Sequence, residues 1–315
     1  MDEKIIPWAR FKGEANAGLS DQDMAKKGYV ATASNVNVTD SGGVYTRVGY
    51  ERIYTASGVA HSLFPSRNGI LFRDGTTLKS YNIQTKAATT LVSTFLNQKL
   101  PVCYRDVDYK TYLMDGVTAG IVANGVYRSW GIPVVGSLFE NYVSRMFIAF
   151  GGHLYYSRPF RYTEFDTREY ISFDAPITML EAVRTGLWVG TMDNIYFLAG
   201  DTPPFTRTRI LDRGAIPGTA VKFAGAYISE QVHNEVVLWT NPSGIFMGGD
   251  EGYVTLVNKT PFYKPPRATR GNAFLRREQG LVQYIVFLED ATSNNEGNYQ
   301  LKSVVNVLLP ALTKT

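Results

Sequence analysis

The side chains that most often bind metals or act as nucleophiles are few in this chain and scattered along it. Its only histidines are His61, His153 and His233, and its only cysteine is Cys103. No two of them have the spacing of a zinc site, and a single cysteine excludes an intrachain disulfide framework. Cys103 stands in a strand-like context, which predicts a small buried residue and not a thiolate. We expect no metal and no cofactor.

Acidic residues cluster at two places where carboxylates could cooperate. Asp106 and Asp108 are two residues apart, so both would point the same way from a strand and could chelate a metal. Such pairs are common by chance. The segment Glu164–Glu169 raises the question of a propeller glycosidase, which needs two carboxylates flanking a sugar. The hairpin motif of sialidase propellers, S-x-D-x-G-x-T-W, does not occur, and the interleaved aromatic residues favour a loop that packs on a neighbouring surface.

Signatures of nucleotide binding and acyl transfer are also missing from the sequence. It has no G-x-S-x-G nucleophile elbow, no Walker-type phosphate loop and no G-x-G-x-x-G run that opens a helix. Its glycine-rich stretch, Gly248–Gly252, lies between strand-like runs, so we interpret it as a hairpin turn. Together these observations predict a protein that is not an enzyme and has no catalytic residues.

A unit that is repeated along the chain predicts the secondary structure. It consists of an apolar or aromatic run, a Gly/Asp turn, and a second apolar or aromatic run. Clear copies span residues 70–78, 146–157 and 187–198, and a looser copy spans 245–254. Each copy is typical of a β-hairpin. The turns are about 36 to 56 residues apart, close to the length of a four-stranded propeller blade. They are predicted near Gly75, Gly116, Gly152, Asn194, Asp250 and Gly297.

Composition agrees with a β fold. Aromatic residues make up 13% of the chain and charged residues 19%, which suits pleated sheets and large interfaces of low charge. We predict an all-β protein with a short N-terminal extension over residues 1–34, in which residues 20–27 form a short helix. A single β-propeller-like domain with about five or six irregular blades follows over residues 35–315. A β-sandwich is the competing architecture.

Charge and hydropathy limit the partners that the sequence predicts. The formal net charge is +4 and no block of five Lys or Arg occurs, which argues against sequence-specific DNA binding. Contact with phosphates needs only charge, so a diffuse basic lining of a channel stays open. The N-terminus lacks the features of a signal peptide, and no apolar run approaches the roughly 20 residues that span a bilayer. We expect folding in a cytoplasm and no membrane span.

Two stretches carry a resemblance to a known family. Residues 33–50 read ASNVNVTDSGGVYTRVGY and resemble an opening pattern of virion structural proteins of tailed bacteriophages, A-x-N-V-D-(V/I)-x-x-x-G-x-(L/V)-x-x-R-x-G-(Y/F). Asn37 replaces the first Asp of that pattern, and Arg47 matches its Arg. Residues 145–162 read RMFIAFGGHLYYSRPFRY and are followed by PITML at 176–180, GLWVGT at 186–191 and IYFLAG at 195–200. The order of these pieces is similar to that of the same phage proteins.

The resemblance implies a tail hub or nozzle protein of a short-tailed bacteriophage, built around a β-propeller. Such a subunit would form a homo-oligomeric ring, expected as a hexamer, below the portal and adaptor and beside tail-fibre proteins. It would conduct DNA during genome ejection through non-specific contacts, in a virion tail assembled in the cytoplasm of the bacterial host. A carbohydrate-binding or glycosidase-like propeller for cell-surface attachment is the alternative.

Loops at hairpin ends are the expected contact surfaces, because irregular segments carry most binding residues. The candidate loops are 157–174, 199–219 and 261–269. Basic residues in or near the last two are predicted to face a DNA channel or a subunit interface, with a solvated rim as the simpler interpretation. They are Arg207, Arg209, Arg213, Lys264, Arg267 and Arg270.

Overall fold

In the computed structural model, the described residues form β-strands joined by turns, with almost no helix. The described residues are 13–14, 29–30, 36–38, 44–46, 51–67, 69–95, 100–227, 234–257, 268–278, 281–291 and 299–308. Two short pairs come first: β1 (Gly13–Glu14) runs parallel to β2 (Tyr29–Val30), and β3 (Val36–Val38) runs antiparallel to β4 (Val44–Thr46). The helix predicted at residues 20–27 lies outside the described residues, and the domain boundary at residue 35 stays a prediction.

Five four-stranded antiparallel sheets follow, in a five-bladed β-propeller arrangement. Blade 1 contains β5 (Ala60–Ser66), β6 (Gly69–Asp74), β7 (Thr77–Asn82) and β8 (Ala87–Val92). Blade 2 contains β9 (Cys103–Val107), β10 (Lys110–Met114), β11 (Ala119–Ala123) and β12 (Val126–Ser129). Blade 3 contains β13 (Leu138–Tyr142), β14 (Arg145–Phe150), β15 (His153–Arg158) and β16 (Arg161–Ser172).

The remaining sheets continue this order. Blade 4 contains β17 (Ile177–Val183), β18 (Gly186–Thr191), β19 (Ile195–Ala199) and β20 (Thr206–Leu211). Blade 5 contains β21 (Val221–Ala224), β22 (Glu235–Asn241), β23 (Gly244–Gly248) and β24 (Val254–Leu256), with 3₁₀ turns at Gly225–Tyr227 and Asp250–Gly252. A three-stranded antiparallel sheet of β25 (Arg270–Glu278), β26 (Leu281–Ala291) and β27 (Tyr299–Leu308) comes last. The predicted all-β propeller is therefore confirmed, with five four-stranded blades.

Strand order within each blade follows the sequence, so every blade is a simple meander. The first strands of successive sheets contact one another: β5 contacts β9, β9 contacts β13, β13 contacts β17 and β21 contacts β25. The first strands therefore lie around the propeller axis, and the fourth strands, β8, β12, β16, β20 and β24, form the outer perimeter.

The five predicted turns that fall on described residues all lie between paired antiparallel strands. The turns near Gly75, Gly116, Gly152 and Asn194 join the second and third strands of blades 1 to 4. In blade 5 that turn lies between Asn241 and Gly244, and Asp250 begins a 3₁₀ turn after the third strand. The predicted hairpin turn near Asp250 is confirmed, but it joins the third and fourth strands of blade 5. The Asn241 side chain makes the turn before it by accepting the Ser243 N–H at 2.7 Å.

The predicted contact loops also need correction. Residues 157–174 contain the twelve-residue strand β16, and residues 199–219 contain β20. Polar and charged residues fill both segments, which made them look like loops, but an outermost strand is free to expose such side chains. The Gly297 turn and most of the predicted loop at 261–269 lie outside the described residues.

Apolar clusters fill the interface between each pair of neighbouring sheets. Between blades 4 and 5, Trp188 and Trp239 are both fully buried, and the centres of their rings lie 5.3 Å apart. The Trp188 Nε1–H donates to the Gly249 carbonyl at 2.9 Å. A Cβ on Gly248 would lie 2.6 Å from Cε2 of Trp188. The glycine-rich stretch therefore gives an indole room against the neighbouring blade.

This close approach predicts that Gly248→Ala destabilises the fold. Overpacking a full site commonly lowers the free energy of unfolding by about 1–3 kcal/mol, and urea unfolding would measure it. Gly249→Ala is the matched control, since a Cβ there meets nothing within 4 Å. We expect its effect to stay within about 0.5 kcal/mol. Equal losses in the two variants would contradict the packing argument.

Candidate functional site

Four charged side chains from four consecutive blades meet where the first strands adjoin. They are Arg105 on β9, Glu140 on β13, Glu181 on β17 and Lys222 on β21. Each would be an unusual choice for a short, largely apolar strand on its own. Together they form one ion-pair network, which we call the axial network.

Arg105 is the centre of the axial network. Its Nε lies 2.8 Å from Oε2 of Glu140, and its Nη2 lies 2.8 Å from Oε1 of Glu181. The same guanidinium donates to the carbonyls of Tyr104 and Leu180 at 2.9 and 3.3 Å. One side chain therefore ties blades 2, 3 and 4 together, because the planar guanidinium presents several donors in fixed directions.

Lys222 adds the fifth blade, since its Nζ lies 3.3 Å from Oε2 of Glu140. The side chain of Glu140 is 3% exposed and that of Glu181 is 12% exposed. Buried carboxylates are costly unless they are paired and hydrogen-bonded. Glu140 meets both conditions, with two cationic partners and the Asn141 N–H at 3.0 Å from its Oε1.

The two carboxylates have different acidities for a physical reason. Burial opposes ionisation of Glu140, but Arg105 and Lys222 outweigh it and hold the pKa of that carboxyl below its usual value. Burial raises the pKa of Glu181 to about 7. Arg105 lowers that pKa, while the Glu140 carboxylate raises it further. The arrangement can therefore hold four blades together and let one carboxyl exchange a proton near neutral pH.

Sequence reasoning missed the axial network, although a signal existed. Each of the four residues is a charged residue inside the first strand of a repeat, where its neighbours are mostly apolar or aromatic. The same irregularity at the same place in four successive repeats indicates side chains that converge on the axis. The repeated unit of two apolar runs and a turn covers the second and third strands of a blade, however, and these charged residues lie in the first strand, outside that unit.

Three of the predicted channel or interface residues lie away from the axis. Arg207 and Arg209 are on β20, the outermost strand of blade 4, and Arg213 follows that strand. Arg270 begins β25 and forms an ion pair with Glu289 at 2.8 Å. Lys264 and Arg267 lie outside the described residues. The structure thus groups three arginines at the perimeter, and their contact with DNA or with another subunit stays a prediction.

Two of these arginines make contacts within the chain. Arg207 donates to the Ser172 carbonyl and lies over the rings of Phe173 and Tyr196, at 5.4 and 5.5 Å from the ring centres. Arg209 is 3.2 Å from Oδ1 of Asp212, with both side chains mostly exposed. Exposed pairs of this kind contribute little to stability, so Arg209 is available to other partners.

The other residues that the sequence offered as candidates for chemistry lie among residues of the fold. Cys103 is partly buried, its Sγ lies 3.6 Å from the Phe139 carbonyl, and burial raises the pKa of its thiol. Asp106 lies on β9, but Asp108 lies in the turn beyond it with φ of 47°. The expectation that both carboxylates point the same way from one strand was therefore wrong. His153 begins β15 and its ring lies 4.7 Å from that of Tyr170.

The perimeter of blade 3 presents both charge and aromatic surface. A shallow pocket of about 430 Å³ is lined by Arg158 and by residues 163–168 of β16. Beside it an aromatic patch is formed by Phe150, His153, Tyr155 and Tyr170, in which the Tyr155 and Tyr170 ring centres are 5.5 Å apart. Phe150 and Tyr170 are 54% and 45% exposed. Exposed patches of this kind mark interaction surfaces.

Two kinds of feature are absent from the described residues. No three His, Cys, Asp or Glu side chains among them are grouped so as to hold a metal ion. The same part of the chain contains no helix with the length and apolarity that a membrane crossing requires.

Comparison with known proteins supports the fold and nothing finer. No protein-family model matches the sequence, and no curated protein matches it either. Among solved structures, the chain is similar to the extracellular domain of the putative hybrid two component system BT4673 from B. thetaiotaomicron, with a TM-score of 0.52 and 9% identity. That match covers 79% of this chain and 36% of the other, so the chain spans about a third of the length of that protein.

Two further structures have lower scores, and no conclusion rests on them. The N-terminal domain of Nup159 matches with a TM-score of 0.45 and 11% identity, over 72% of both chains. The WD40 domain of SCAP from fission yeast matches with a TM-score of 0.44 and 8% identity, over 76% of this chain and 61% of the other.

The axial network predicts a pH-dependent stability that Glu181 controls. Between its ordinary pKa of 4.5 and about 7, the unfolded chain loses the proton of this carboxyl while the folded chain retains it. Rising pH therefore lowers the free energy of unfolding across this window, by up to about 3 kcal/mol. Urea unfolding from about pH 5 to about pH 8 would measure the slope.

Glu181→Gln is the informative variant, because the amide keeps the shape and cannot titrate. Its stability is expected to lack that part of the slope. The two proteins differ at this one side chain, so the difference between the two curves isolates Glu181. Identical slopes would contradict the raised pKa.

Proposed function

We propose that this protein is a structural subunit of a bacteriophage virion, a tail hub or nozzle component that acts through its surfaces and carries out no catalysis. The observation that carries the proposal is the sequence likeness at residues 145–200. The matched pieces fall on β14 to β19, in two adjacent blades that share one buried cluster. The matched pieces therefore lie in one continuous part of the molecule. The exposed strand β16 lies on the outer side of that part.

The proposal includes partners and place. The subunit forms a homo-oligomeric ring, expected as a hexamer, that adjoins portal, adaptor and tail-fibre proteins in the tail. Assembly takes place in the host cytoplasm, and the ring conducts DNA during ejection. The large apolar clusters between blades support the proposal, because they make the scaffold rigid. A conduit for DNA needs rigid walls, since the passing DNA exerts force on them.

Deletion of the gene in the phage is expected to yield DNA-filled heads without complete tails and to abolish infectivity. Complementation with the wild-type chain restores both, and electron microscopy of the particles would place an added tag in the tail. A chain that is absent from purified particles, in a phage that stays infectious without it, would overturn the proposal.

A carbohydrate-binding propeller for cell-surface attachment is the second candidate, favoured by the aromatic patch of blade 3. Exposed rings with polar neighbours are common in ligand sites, where they supply apolar contact area. On this alternative, host glycan binds saturably, and Tyr170→Ala weakens it at least about tenfold, a loss of about 1.4 kcal/mol. Tyr253→Ala is the control, since Tyr253 is 67% exposed on blade 5. Glycan-array signals that are equal in all three proteins would exclude this site.

A further inference from the structure

The last sheet of the chain has three strands among the described residues, whereas the five blades have four each. It nevertheless packs as a blade does. Its first strand, β25, contacts the first strand of blade 5, and a buried apolar cluster lies between the two sheets. Within that contact the Tyr284 Oη lies 3.2 Å from Oγ1 of Thr240, and the Gly271 N–H donates to the Pro217 carbonyl at 2.8 Å. The sheet therefore has the place of a sixth blade without its outermost strand.

The position of the fourth strand is beside β27. This strand pairs with β26 along one edge. No other strand of the described ranges pairs with its second edge, which is ten residues long. Such an edge accepts an added strand, because main-chain hydrogen bonds supply the affinity, and propellers normally leave only short or protected edges.

The connections that lead from one blade to the next have a common position. Each runs from the fourth strand of a blade to the first strand of the next, and it makes a hydrogen bond near the end of the second strand of that next blade. In blade 3 the Ser137 N–H donates to the Ala149 carbonyl at 3.2 Å. In blade 4 the Met192 N–H donates to the Pro176 carbonyl at 3.2 Å.

Residues 51–59 have the same position in front of blade 1. The Gly75 N–H, just after the second strand of that blade, donates to the Val59 carbonyl at 3.1 Å. The Asp74 carboxylate, at the end of the same strand, accepts the Gly58 N–H at 2.7 Å. Residues 51–59 are therefore held to blade 1 as a connection between blades, and the strand before them has the place of a fourth strand.

The strand before this connection is β4, and the described residues pair it with β3 along one edge only. Thirteen residues, 47–59, separate β4 from β5. The connections after blades 1 to 5 range from four residues, at 173–176, to thirteen residues, at 257–269. The length before blade 1 is thus within the range of the others. The chain has one fourth strand without a blade and one blade without a fourth strand.

We propose that β4 pairs antiparallel with the open edge of β27 and forms the fourth strand of the sixth blade. The sixth blade then lies between blade 5 and blade 1, and strand hydrogen bonds between the two ends of the chain close the propeller. Blade 1 and the sixth blade can separate only when these bonds break. This closure does not depend on the proposed function in a virion.

Disulfide crosslinking in the full-length chain tests the pairing. Tyr45→Cys on β4 would be combined in turn with a cysteine substitution at each of the ten positions of β27. Directly opposed residues of antiparallel strands are close enough for a disulfide. On oxidation, the rate of intrachain crosslinking is expected to peak at one position of β27. At the peak it exceeds, at least about tenfold, the rate for Tyr45→Cys with Thr255→Cys on β24, the outermost strand of blade 5.

Hydrogen exchange gives an independent measurement. The double variant Tyr45→Pro and Thr46→Pro loses two adjacent N–H donors of β4, one toward each edge of the strand. Exchange of the β27 amides is expected to become at least about tenfold faster, while exchange in β22 of blade 5 stays unchanged. Asn37→Pro with Val38→Pro on β3 is the matched control, because β3 pairs with β4 and is not expected to touch β27.

Three results would overturn the proposal. One is a crosslinking rate that is flat along β27 or no faster than with Thr255→Cys. Another is a disulfide that joins two chains, because a second copy would then supply the strand. The third is exchange of the β27 amides that is equally fast in the wild type and in the Tyr45→Pro and Thr46→Pro variant.

Discussion

The axial network is the constraint on which the rest of the propeller depends. The blades of a β-propeller are not joined by strand pairing, so side-chain contacts do most to fix the angle between neighbours. Apolar clusters supply most of that adhesion but are non-directional. Arg105, with two carboxylates at 2.8 Å on different blades, adds direction where the first strands meet. Buried charges also make errors costly, because a blade out of place leaves a carboxylate without its partner.

Much of the fold is readable from the sequence because the repeat is local. Turns such as the one at Gly75 can be recognised in the sequence by their glycines and short polar runs. Residues that are close in sequence determine the geometry of a hairpin. The turn at Asn241–Gly244 was harder, since a side-chain amide and not a glycine makes it. The axial network was out of reach for another reason. Arg105 and Glu181 are 76 residues apart, and only the closure of blades around an axis brings them together.

At the perimeter, too, the sequence predicts what nearby residues determine and misses what distant residues determine. The sequence indicated that Arg207 and Arg209 belong to a surface, and they do lie on the outer edge of blade 4. It did not indicate that residues 161–172 form a strand, because their alternation is disturbed by the register shifts opposite β15. Irregular outer strands are common where edges are used or protected. The regular inner strands determine the scaffold. The irregular outer strands determine which side chains the scaffold exposes at its surface.

The order of the axial residues along the chain has a consequence for synthesis. Arg105 leaves the ribosome first, Glu140 next, then Glu181, and Lys222 last. A nascent chain that has completed blades 2 and 3 can pair Arg105 with Glu140, but Glu140 lacks its lysine until blade 5 emerges. Until then Glu140 has one of its two cationic partners, and burial of an incompletely paired carboxylate is costly. A chain that terminates before blade 5 lacks Lys222 permanently, so its Glu140 keeps Arg105 as a cationic partner but never gains the second one.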